Sequence, residues 1–241
     1  MPSLFHNSPV PRYAQIAGVL RQRIARGRWR AGQQLPTLPE LMQEFDVARV
    51  TVRQAVELLA REGLLSAERG RGTFVTAPTP ATGTLKLQTA LRDLANVYRH
   101  DTPQLTLLEE TAAMPALQSH EGPAAPGYRY LRRVHTRAAV AYCVIAIYLD
   151  ERVFRMAAKR FRRETVVPVL LDLPRVRIAK AHQTLTIGTA DVEVAEHLQL
   201  PLNAPVAEVR RIFHAPDGSV LYLGEVTYRG DYIRFDMDLN P

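Results

Sequence analysis

The sequence predicts an α+β protein with two domains, of which the second is built on a mixed, mainly antiparallel sheet. The chain has 241 residues, more than a typical domain of roughly 100–150 residues, so it has room for two separate cores. Its first third shows three segments with helical spacing and a short hairpin signal, whereas strand-like stretches dominate from residue 105 onward. A proline-containing stretch without core periodicity separates them, so we expect domains over 1–77 and 85–241 and a linker over 78–84.

The first two helices are predicted from their apolar faces. Helix one lies between Pro11 and Gly27, and its inward positions are Tyr13, Ile16, Ala17, Leu20 and Ile24. Helix two begins after Thr37, where the T-x-x-E spacing to Glu40 predicts a capping box. Its expected buried residues are Leu38, Leu41, Met42 and Phe45.

A third helix and a hairpin follow at once, as in a winged helix-turn-helix. The helix is predicted from Arg49 to Glu62 and stops at Gly63, with Val52, Val56 and Leu59 facing inward. Two short strands, Leu65–Glu68 and Thr73–Thr76, surround an Arg-Gly-Arg-Gly run whose glycines permit the positive φ angles of a tight turn. We interpret this hairpin as a wing.

The second domain is predicted to contain one helix, then strands interrupted by two further helices. The Asp217-Gly218 pair is a hairpin signal between the last two strands. The predicted helices are Leu87–Tyr98, Glu151–Phe161 and Asp191–Leu198, and the predicted strands are Leu105–Ala112, Tyr128–Thr136, Val140–Leu149, Val176–Thr186, Val206–His214 and Val220–Tyr228.

Charge and composition limit the function. Eleven arginines and six acidic residues precede residue 78, which places five of the formal net charges of +7 in the first third and favours a polyanionic partner there. Cys143 is the one cysteine, so we expect no intrachain disulfide, no thiolate zinc site and a buried apolar role for this residue. No apolar run is long enough to span a membrane and the start lacks a signal-peptide layout, so we expect a cytoplasmic protein with no membrane partner.

The third helix carries the residues expected to read DNA. Arg49 and Arg53 are four residues apart, so they share a face opposite the apolar stripe, and their guanidinium groups suit guanine edges or phosphates. Thr51, Gln54 and Thr37 are expected supporting contacts. The alternative for the two arginines is an ordinary solvated helix face.

The hairpin tip supplies a second predicted contact. Arg69, Gly70 and Arg71 lie where side chains can enter a narrow minor groove, whose negative potential attracts arginine. A nucleotide-binding loop is rejected, because no third glycine follows at the required spacing and no helix opens after the run.

These motifs carry a family resemblance. Residues 11–75, including Leu-Pro-Thr, Val-Ala-Arg-Val-Thr-Val-Arg-Gln-Ala and Gly-Arg-Gly-Thr-Phe-Val, resemble the DNA-binding domain of GntR-family regulators nearly end to end. The resemblance implies that Arg49 and Arg53 read an operator, that Thr51 contacts the backbone or bases, and that Gly70 reaches the minor groove. Two departures are Ala48, where the family often has a serine, and Leu38-Pro39, where many members have Glu-Arg.

Residues 85–241 resemble the UTRA domain of the HutC subfamily, a chorismate-lyase-like sheet domain that binds small ligands and dimerises. The motifs are Asn-Ala-Pro-Val, Arg210-Arg211, Asp217-Gly218 and the closing Glu-x-x-Tyr-Arg-Gly-Asp. The resemblance implies an effector pocket lined by Arg133, His135, Gln183, Glu225 and Tyr228. The alternatives are an exposed strand charge for Arg133 and a surface or satisfied histidine for His135.

The first half of this domain departs from the family. The run 115–127 replaces a short helix, Arg137-Ala138-Ala139 replaces an Asp-Gly hairpin, and Ile145 stands where a pocket acid is frequent. We therefore expect either an effector unlike the phosphosugars and amino-acid catabolites that relatives bind, or a smaller pocket.

The sequence predicts a regulator and no enzyme. Zinc-protease, P-loop, nucleophile-elbow and EF-hand patterns are absent, and the histidines are scattered. We therefore expect no catalytic residues, metal or cofactor. The expected function is a ligand-responsive repressor that binds a pseudo-palindromic operator in double-stranded DNA as a homodimer. The alternative is a small-molecule-binding protein or lyase-like enzyme whose N-terminal module serves assembly.

Overall fold

The computed structural model describes residues 10–68, 70–76, 85–86, 90–100 and 102–234. The chain divides into two compact units, Met1–Ala81 and Thr82–Pro241. The fold class is α+β, as the sequence predicts, with helices prevailing in the first unit and strands in the second. The predicted linker and Arg69 lie outside the described residues.

The first unit is a three-helix cluster followed by a two-stranded antiparallel hairpin. Its elements are α1 (Arg12–Ala25), α2 (Leu38–Phe45), α3 (Arg49–Arg61), β1 (Leu65–Glu68) and β2 (Gly72–Val75). One core holds the unit together, and it includes the predicted inward residues Ile16, Leu20, Leu41, Val52 and Leu59. This arrangement is a winged helix-turn-helix.

Local chemistry explains where the helices of this unit begin and end. The capping box at the start of α2 is present, and the Glu40 carboxylate accepts from the backbone N–H of Thr37 at 2.7 Å. That helix ends at Asp46, whose φ of 50° is left-handed. After α3, Gly63 adopts a φ of 73°, a conformation that glycine takes without steric cost.

Ion pairs fix the three helices to one another. Arg21 of α1 pairs with Glu62 after α3 at 2.6 Å, and Arg23 of α1 pairs with Glu44 of α2 at 2.5 Å. These two arginines are therefore used inside the unit, and they are separate from the arginines on the outer face of α3.

The second unit is built on a six-stranded sheet. Its helices are α4 (Leu91–His100), α5 (Glu151–Met156), α6 (Ala158–Arg163), α7 (Val166–Asp172) and α8 (Val192–Leu198). Its strands are β3 (Leu85–Lys86), β4 (Gln104–Ala112), β5 (Tyr128–Arg137), β6 (Val140–Asp150), β7 (Lys180–Thr189), β8 (Pro205–His214), β9 (Val220–Arg229) and β10 (Ile233–Arg234).

The sheet is antiparallel throughout and has the strand order β4-β5-β6-β9-β8-β7. The short strands β3 and β10 form a separate parallel pair. The prediction of a mainly antiparallel sheet is confirmed. Within the described residues, none of the helices has the length and apolar character that crossing a bilayer would require.

The two faces of the sheet have different surroundings. One face, which carries Arg133 and Arg211, packs under α4 to α7, whose Tyr98, Phe161 and Leu170 belong to the same core as the strands; we call it the helix-covered face. The opposite face carries Arg210 and is covered partly by α8; we call it the open face.

Three predicted elements need correction. The first helix of this unit spans Leu91–His100 in the described residues, later than the predicted Leu87–Tyr98, and residues 87–89 are not described. The strand predicted from Val176 begins at Lys180, after a turn that Leu173 closes by accepting from the Val176 N–H.

The third correction concerns the single helix predicted over Glu151–Phe161. It is two helices, because the backbone breaks at Ala157 with φ −148° and ψ 41°. The next helix, α7, has no counterpart in the sequence prediction. Pro168 lies in its first turn, where a missing N–H leaves no intrahelical bond unmade.

The turn between β5 and β6 is a two-residue hairpin without glycine. Ala138 and Ala139 have φ angles of 46° and 64°, and Arg137 pairs with Val140 across the turn. A type I′ turn needs positive φ at both central positions, and alanine adopts such angles at a cost. The hairpin forms despite the absent Asp-Gly pair, because the long β5–β6 ladder holds it.

Candidate DNA-binding surface and effector site

The recognition helix of the first unit is α3. Its inner residues Val52, Ala55 and Leu59 are fully buried, and this fixes which side of the helix faces out. Arg49 and Arg53 are both exposed on the outer side, as their four-residue spacing predicts. Arg53 is paired with Glu57 at 3.0 Å, and its side chain is still 69% exposed.

The residues predicted to support Arg49 and Arg53 differ in their exposure and in their hydrogen bonds. Gln54 is exposed and Thr51 is half-buried, so both can be reached from the outer face of α3. The Thr37 hydroxyl donates to the Glu40 carboxylate at 2.8 Å, so this residue is used in the cap of α2. Ala48 gives α3 no side-chain cap, because alanine has no group that can accept a hydrogen bond.

The wing is held in shape by contacts with the segment before α2. Gln34 donates from Nε2 to the Arg71 carbonyl at 3.0 Å and bridges to Phe74 through the backbone. Gly70 and Gly72 have φ angles of 77° and 121°, so the tip uses both glycines. The Arg71 side chain is 75% exposed, pairs with Glu68 at 2.6 Å and lies over the Phe74 ring.

In the second unit, four of the five predicted effector residues lie together on the helix-covered face. They are Arg133, His135, Gln183 and Tyr228. Arg133, His135 and Tyr228 are buried, with exposed fractions of 0%, 3% and 0%. The interpretations of Arg133 as an exposed strand charge and of His135 as a surface histidine are therefore wrong.

Arg133 fastens the sheet to α6. Its guanidinium donates to the backbone carbonyls of Phe161 and of Glu164, the latter at 3.1 Å. Burial lowers the pKa of Arg133 to about 10, which leaves the group charged at neutral pH. Its Nε has no hydrogen-bond partner among the described residues.

His135 is held neutral. Burial, with the charges of Arg133 and Arg211, lowers the pKa of His135 to about 3. Its Nδ1 lies 3.5 Å from the Tyr142 hydroxyl, and its Nε2 has no partner in the part of the chain that is described. A neutral imidazole with one free ring nitrogen is left among cationic neighbours.

Sequence reasoning missed Arg211 as a member of this cluster. Arg211 is 2% exposed, donates from Nε to Gln183 Oε1 at 2.9 Å and lies 3.2 Å from the Tyr228 hydroxyl, which in turn lies 3.3 Å from the Tyr98 hydroxyl. The signal was the Arg210-Arg211 pair, because adjacent strand residues point to opposite faces and one of the two had to face the core.

Two buried guanidinium groups therefore share one region of the core. Within the described residues no carboxylate is ion-paired with either Arg133 or Arg211, and their partners are carbonyls, an amide and a hydroxyl. Buried charges are normally paired with an opposite charge. Because these two guanidinium groups have no such pair among the described residues, the cluster has an excess of positive charge there. A cavity of about 50 Å³ reaches Gln183 and Arg211 from beneath Leu91 and Leu94 of α4.

Glu225 lies on the open face, apart from the other four predicted residues. It pairs with Arg210, which also donates to the buried Glu121 at 2.7 Å. The hydrogen bond from Arg210 lowers the pKa of Glu121. This pairing ties the 115–127 run to the sheet beside an open cavity of about 690 Å³ that is lined by Thr184, Glu208 and Glu225, among others.

Among the described residues, no three His, Cys, Asp or Glu side chains are grouped as a metal ion would require.

The two units together define a class of protein: a winged helix-turn-helix that presents arginines on its recognition helix, linked in one chain to a sheet domain with a buried cationic cluster. That combination is typical of DNA-binding regulators.

The comparisons with known proteins identify the family. Residues 12–75 match "Bacterial regulatory proteins, gntR family", and residues 105–234 match the UTRA domain. The chain belongs to the GntR family of bacterial regulatory proteins and carries a UTRA domain, as the sequence resemblance predicts.

Relatives agree with this assignment, and a solved structure shares the fold. The chain is 26% identical over 238 residues to the HTH-type transcriptional repressor NagR of Bacillus subtilis, covering 95% of this chain and 94% of NagR. It is 29% identical over 107 residues to the histidine utilization repressor of Klebsiella aerogenes, covering 44% of each chain. The crystal structure of PhnF from Mycobacterium smegmatis shares the fold, with a TM-score of 0.54 and 20% identity over 93% of this chain and 99% of PhnF.

Proposed function

We propose that this protein is a repressor that binds a pseudo-palindromic DNA operator as a homodimer and is controlled by a small anionic effector. The observation that carries the DNA-binding part is the outer face of α3, where Arg49 and Arg53 are exposed while the inner stripe is buried. A homodimer would place two such helices in successive major grooves, about 34–36 Å apart. The repressor names of the relatives support the direction of control.

The test is DNA binding by the full chain across a series of salt concentrations. The probe is the intergenic DNA beside the protein's own gene, with an unrelated duplex as competitor. Arg49→Ala and Arg53→Ala should each weaken specific binding by about 1–3 kcal/mol if the arginine reads a base. Binding should also weaken steeply with salt, since each phosphate contact releases counterions.

Arg61→Ala is the matched control. Arg61 is also an exposed arginine of α3, but it lies in the last turn, away from the N-terminal residues that contact base edges. The same charge is lost in all three variants. Equal behaviour of Arg49→Ala, Arg53→Ala and Arg61→Ala would contradict base reading, and the absence of salt-dependent binding would favour the small-molecule or lyase-like alternative.

The effector site that the geometry supports is the cluster on the helix-covered face. Arg133 and Arg211, which have no ion-paired carboxylate among the described residues, favour an anionic group. Gln183, Tyr228 and the Nε2 of His135, which has no partner in that part of the chain, offer neutral hydrogen-bond partners. We leave Glu225 out of this site, because it pairs with Arg210 on the opposite face. The present cavity of about 50 Å³ is far smaller than a ligand pocket of about 300–1,000 Å³, so binding requires the cover to move.

Helix α4 is the part of the cover that would move. Tyr98 contributes a hydroxyl to the cluster, and Leu91 and Leu94 line the cavity. In the sequence, α4 comes shortly after the predicted linker 78–84. A ligand that displaces α4 would therefore act on the chain segment that leads to the DNA-binding unit. Because the ligand binds the arrangement with α4 displaced more tightly than the arrangement with α4 in place, it shifts the population towards the former and so changes operator affinity.

A thermal-shift screen tests the effector site. Small phosphate and carboxylate metabolites of neighbouring operons are the probes, and a ligand at 100 times its Kd adds about 2.7 kcal/mol to stability. Arg211→Gln should abolish the shift, whereas Arg210→Gln, one residue away on the open face, should keep it. The reverse result would move the effector site to the open face.

A further inference from the structure

An exposed valine lies at the centre of the proposed DNA-reading face. Val50 is the second residue of α3, and 58% of it is exposed. Helix spacing places it next to Arg53 and Gln54, at i+3 and i+4, and Arg49 precedes it. Every other apolar residue of α3 is buried or half-buried, so Val50 is separate from the stripe that packs against the unit.

The fold gives no reason for valine at this position. The side chain belongs to neither the core of the first unit nor the half-buried residues packed against it. Valine also has a lower helix propensity than alanine. A β-branched side chain in a helix is nearly fixed in one rotamer, however, so it presents a rigid apolar surface at little entropic cost.

We propose that Val50 reads the 5-methyl group of a thymine in each operator half-site, and so determines part of the sequence specificity. Thymine alone presents a methyl group in the major groove, and an isopropyl group, which can neither donate nor accept, can distinguish bases there only by apolar contact. The first turn of a recognition helix contacts base edges. This inference rests on the proposed operator binding.

The test is selection of duplexes from a randomised library that is amplified either with dTTP or with dUTP, so that the two pools differ only in the methyl group. The full-length protein is used with both pools. Wild type should enrich thymine at one position per half-site in the first pool. In the second pool this enrichment should be about four-fold weaker, which is the effect expected from burying one methyl-sized group.

Val50→Ala should prefer thymine less strongly than wild type does in the dTTP pool, because alanine is too short to cover the methyl group. Its preference should be equal in the two pools. Alanine has the higher helix propensity, so this variant is expected to fold. Val192→Ala is the matched control: Val192 is 71% exposed on α8 of the other unit, and its loss should leave the wild-type difference between pools unchanged.

The outcomes separate the two proposals. Identical wild-type preferences in the dTTP and dUTP pools overturn the role of Val50, as does an equal methyl dependence in wild type and Val50→Ala. In either case, enrichment of a sequence from both pools would still support the proposal of operator binding. A lack of enrichment in both pools by wild type overturns operator binding and the role of Val50 together.

Discussion

Arg53 already has an ion-pair partner before DNA binds. In the free protein its guanidinium pairs with Glu57 at 3.0 Å, four residues along α3. Contact with a base or phosphate would have to break or share this pair. Exposed pairs of this kind contribute about 0.2–1 kcal/mol, so the exchange costs little, but the Glu57 carboxylate also repels the DNA backbone.

Glu57→Gln is therefore expected to strengthen operator binding by about 1.5- to 5-fold, since the competing partner of Arg53 is lost. The measurement is a titration of labelled operator at fixed salt. Glu196→Gln, the same change at an exposed position of α8, controls for net charge and should give a smaller effect. A weaker operator complex with Glu57→Gln would show that the pair positions Arg53 for binding.

His135 makes stability depend on pH. Because its pKa falls to about 3 in the folded protein, the unfolded chain, with an ordinary histidine pKa of about 6.5, binds the proton more readily. Stability must then rise with pH between these two values and fall as acid is added. We expect a loss of about 2 kcal/mol between pH 7 and pH 5 from this residue alone.

Urea unfolding of the full chain at pH 5 to 7, followed by far-UV circular dichroism, measures this slope. His135→Phe should flatten it, whatever the variant does to stability at pH 7. Carboxylates such as Glu121 and Glu110, whose pKa values are lowered by hydrogen bonds from arginines, lose their contribution mainly below pH 5. An unchanged slope between pH 7 and pH 5 in His135→Phe would place the titrating group elsewhere.

At the scale of elements, the β5–β6 turn stores strain. Left-handed backbone costs an alanine roughly 1–2 kcal/mol, and both central residues, Ala138 and Ala139, are left-handed. Replacing them together by Asn-Gly, the pair that type I′ turns prefer, should raise the free energy of unfolding by about 1 kcal/mol after the entropy cost of glycine. Denaturant unfolding measures the gain.

Gly218→Ala is the opposite change in the same unit. Gly218 has a φ of 83° in the predicted Asp-Gly hairpin and open space around its α-carbon, so an added methyl group would meet backbone strain and no clash. It should destabilise the unit by about 1 kcal/mol. If both changes left stability unaltered, the long strands would be absorbing the turn energy.

The elements show what a sequence can and cannot predict. Five of the six long strands were located to within one residue at each end, because runs of apolar and β-branched residues between turn signals indicate strands, whereas β7 begins four residues later than predicted. No glycine or proline marks the helix break at Ala157, so the sequence pattern did not predict it. Helix α7 was missed because a proline in a short apolar run signals a break unless its place in the first turn is known.

The same limit applies to the site residues. The arginines of α3 were predictable from helical spacing alone. Which of Arg210 and Arg211 faces the core depends on strand register, and a shift of one residue exchanges the two faces. The β8–β9 pairing contains such a shift between Phe213 and His214, so the placement of Arg211 and Glu225 could be settled only by the fold.

At the scale of the whole molecule, two separate cores predict two unfolding transitions. Trp29, the single tryptophan, packs half-buried against the core of the first unit, whereas eight of the nine tyrosines lie in the second. Trp29 fluorescence should therefore follow the first unit and near-UV tyrosine absorbance mainly the second, with different midpoints in urea. An anionic effector should shift only the tyrosine transition, and coincident midpoints would contradict independent units.

The burial of Cys143 has a practical consequence. This thiol is fully buried in a central strand, beside residues that pair with it from β5 and β9, and burial raises its pKa. Because the thiolate is the reactive form, folded protein should resist alkylation. Any cysteine introduced at the surface would thus be the sole attachment point for a spectroscopic label, and distances between labelled positions could be followed as operator and effector are added, without first removing the native thiol.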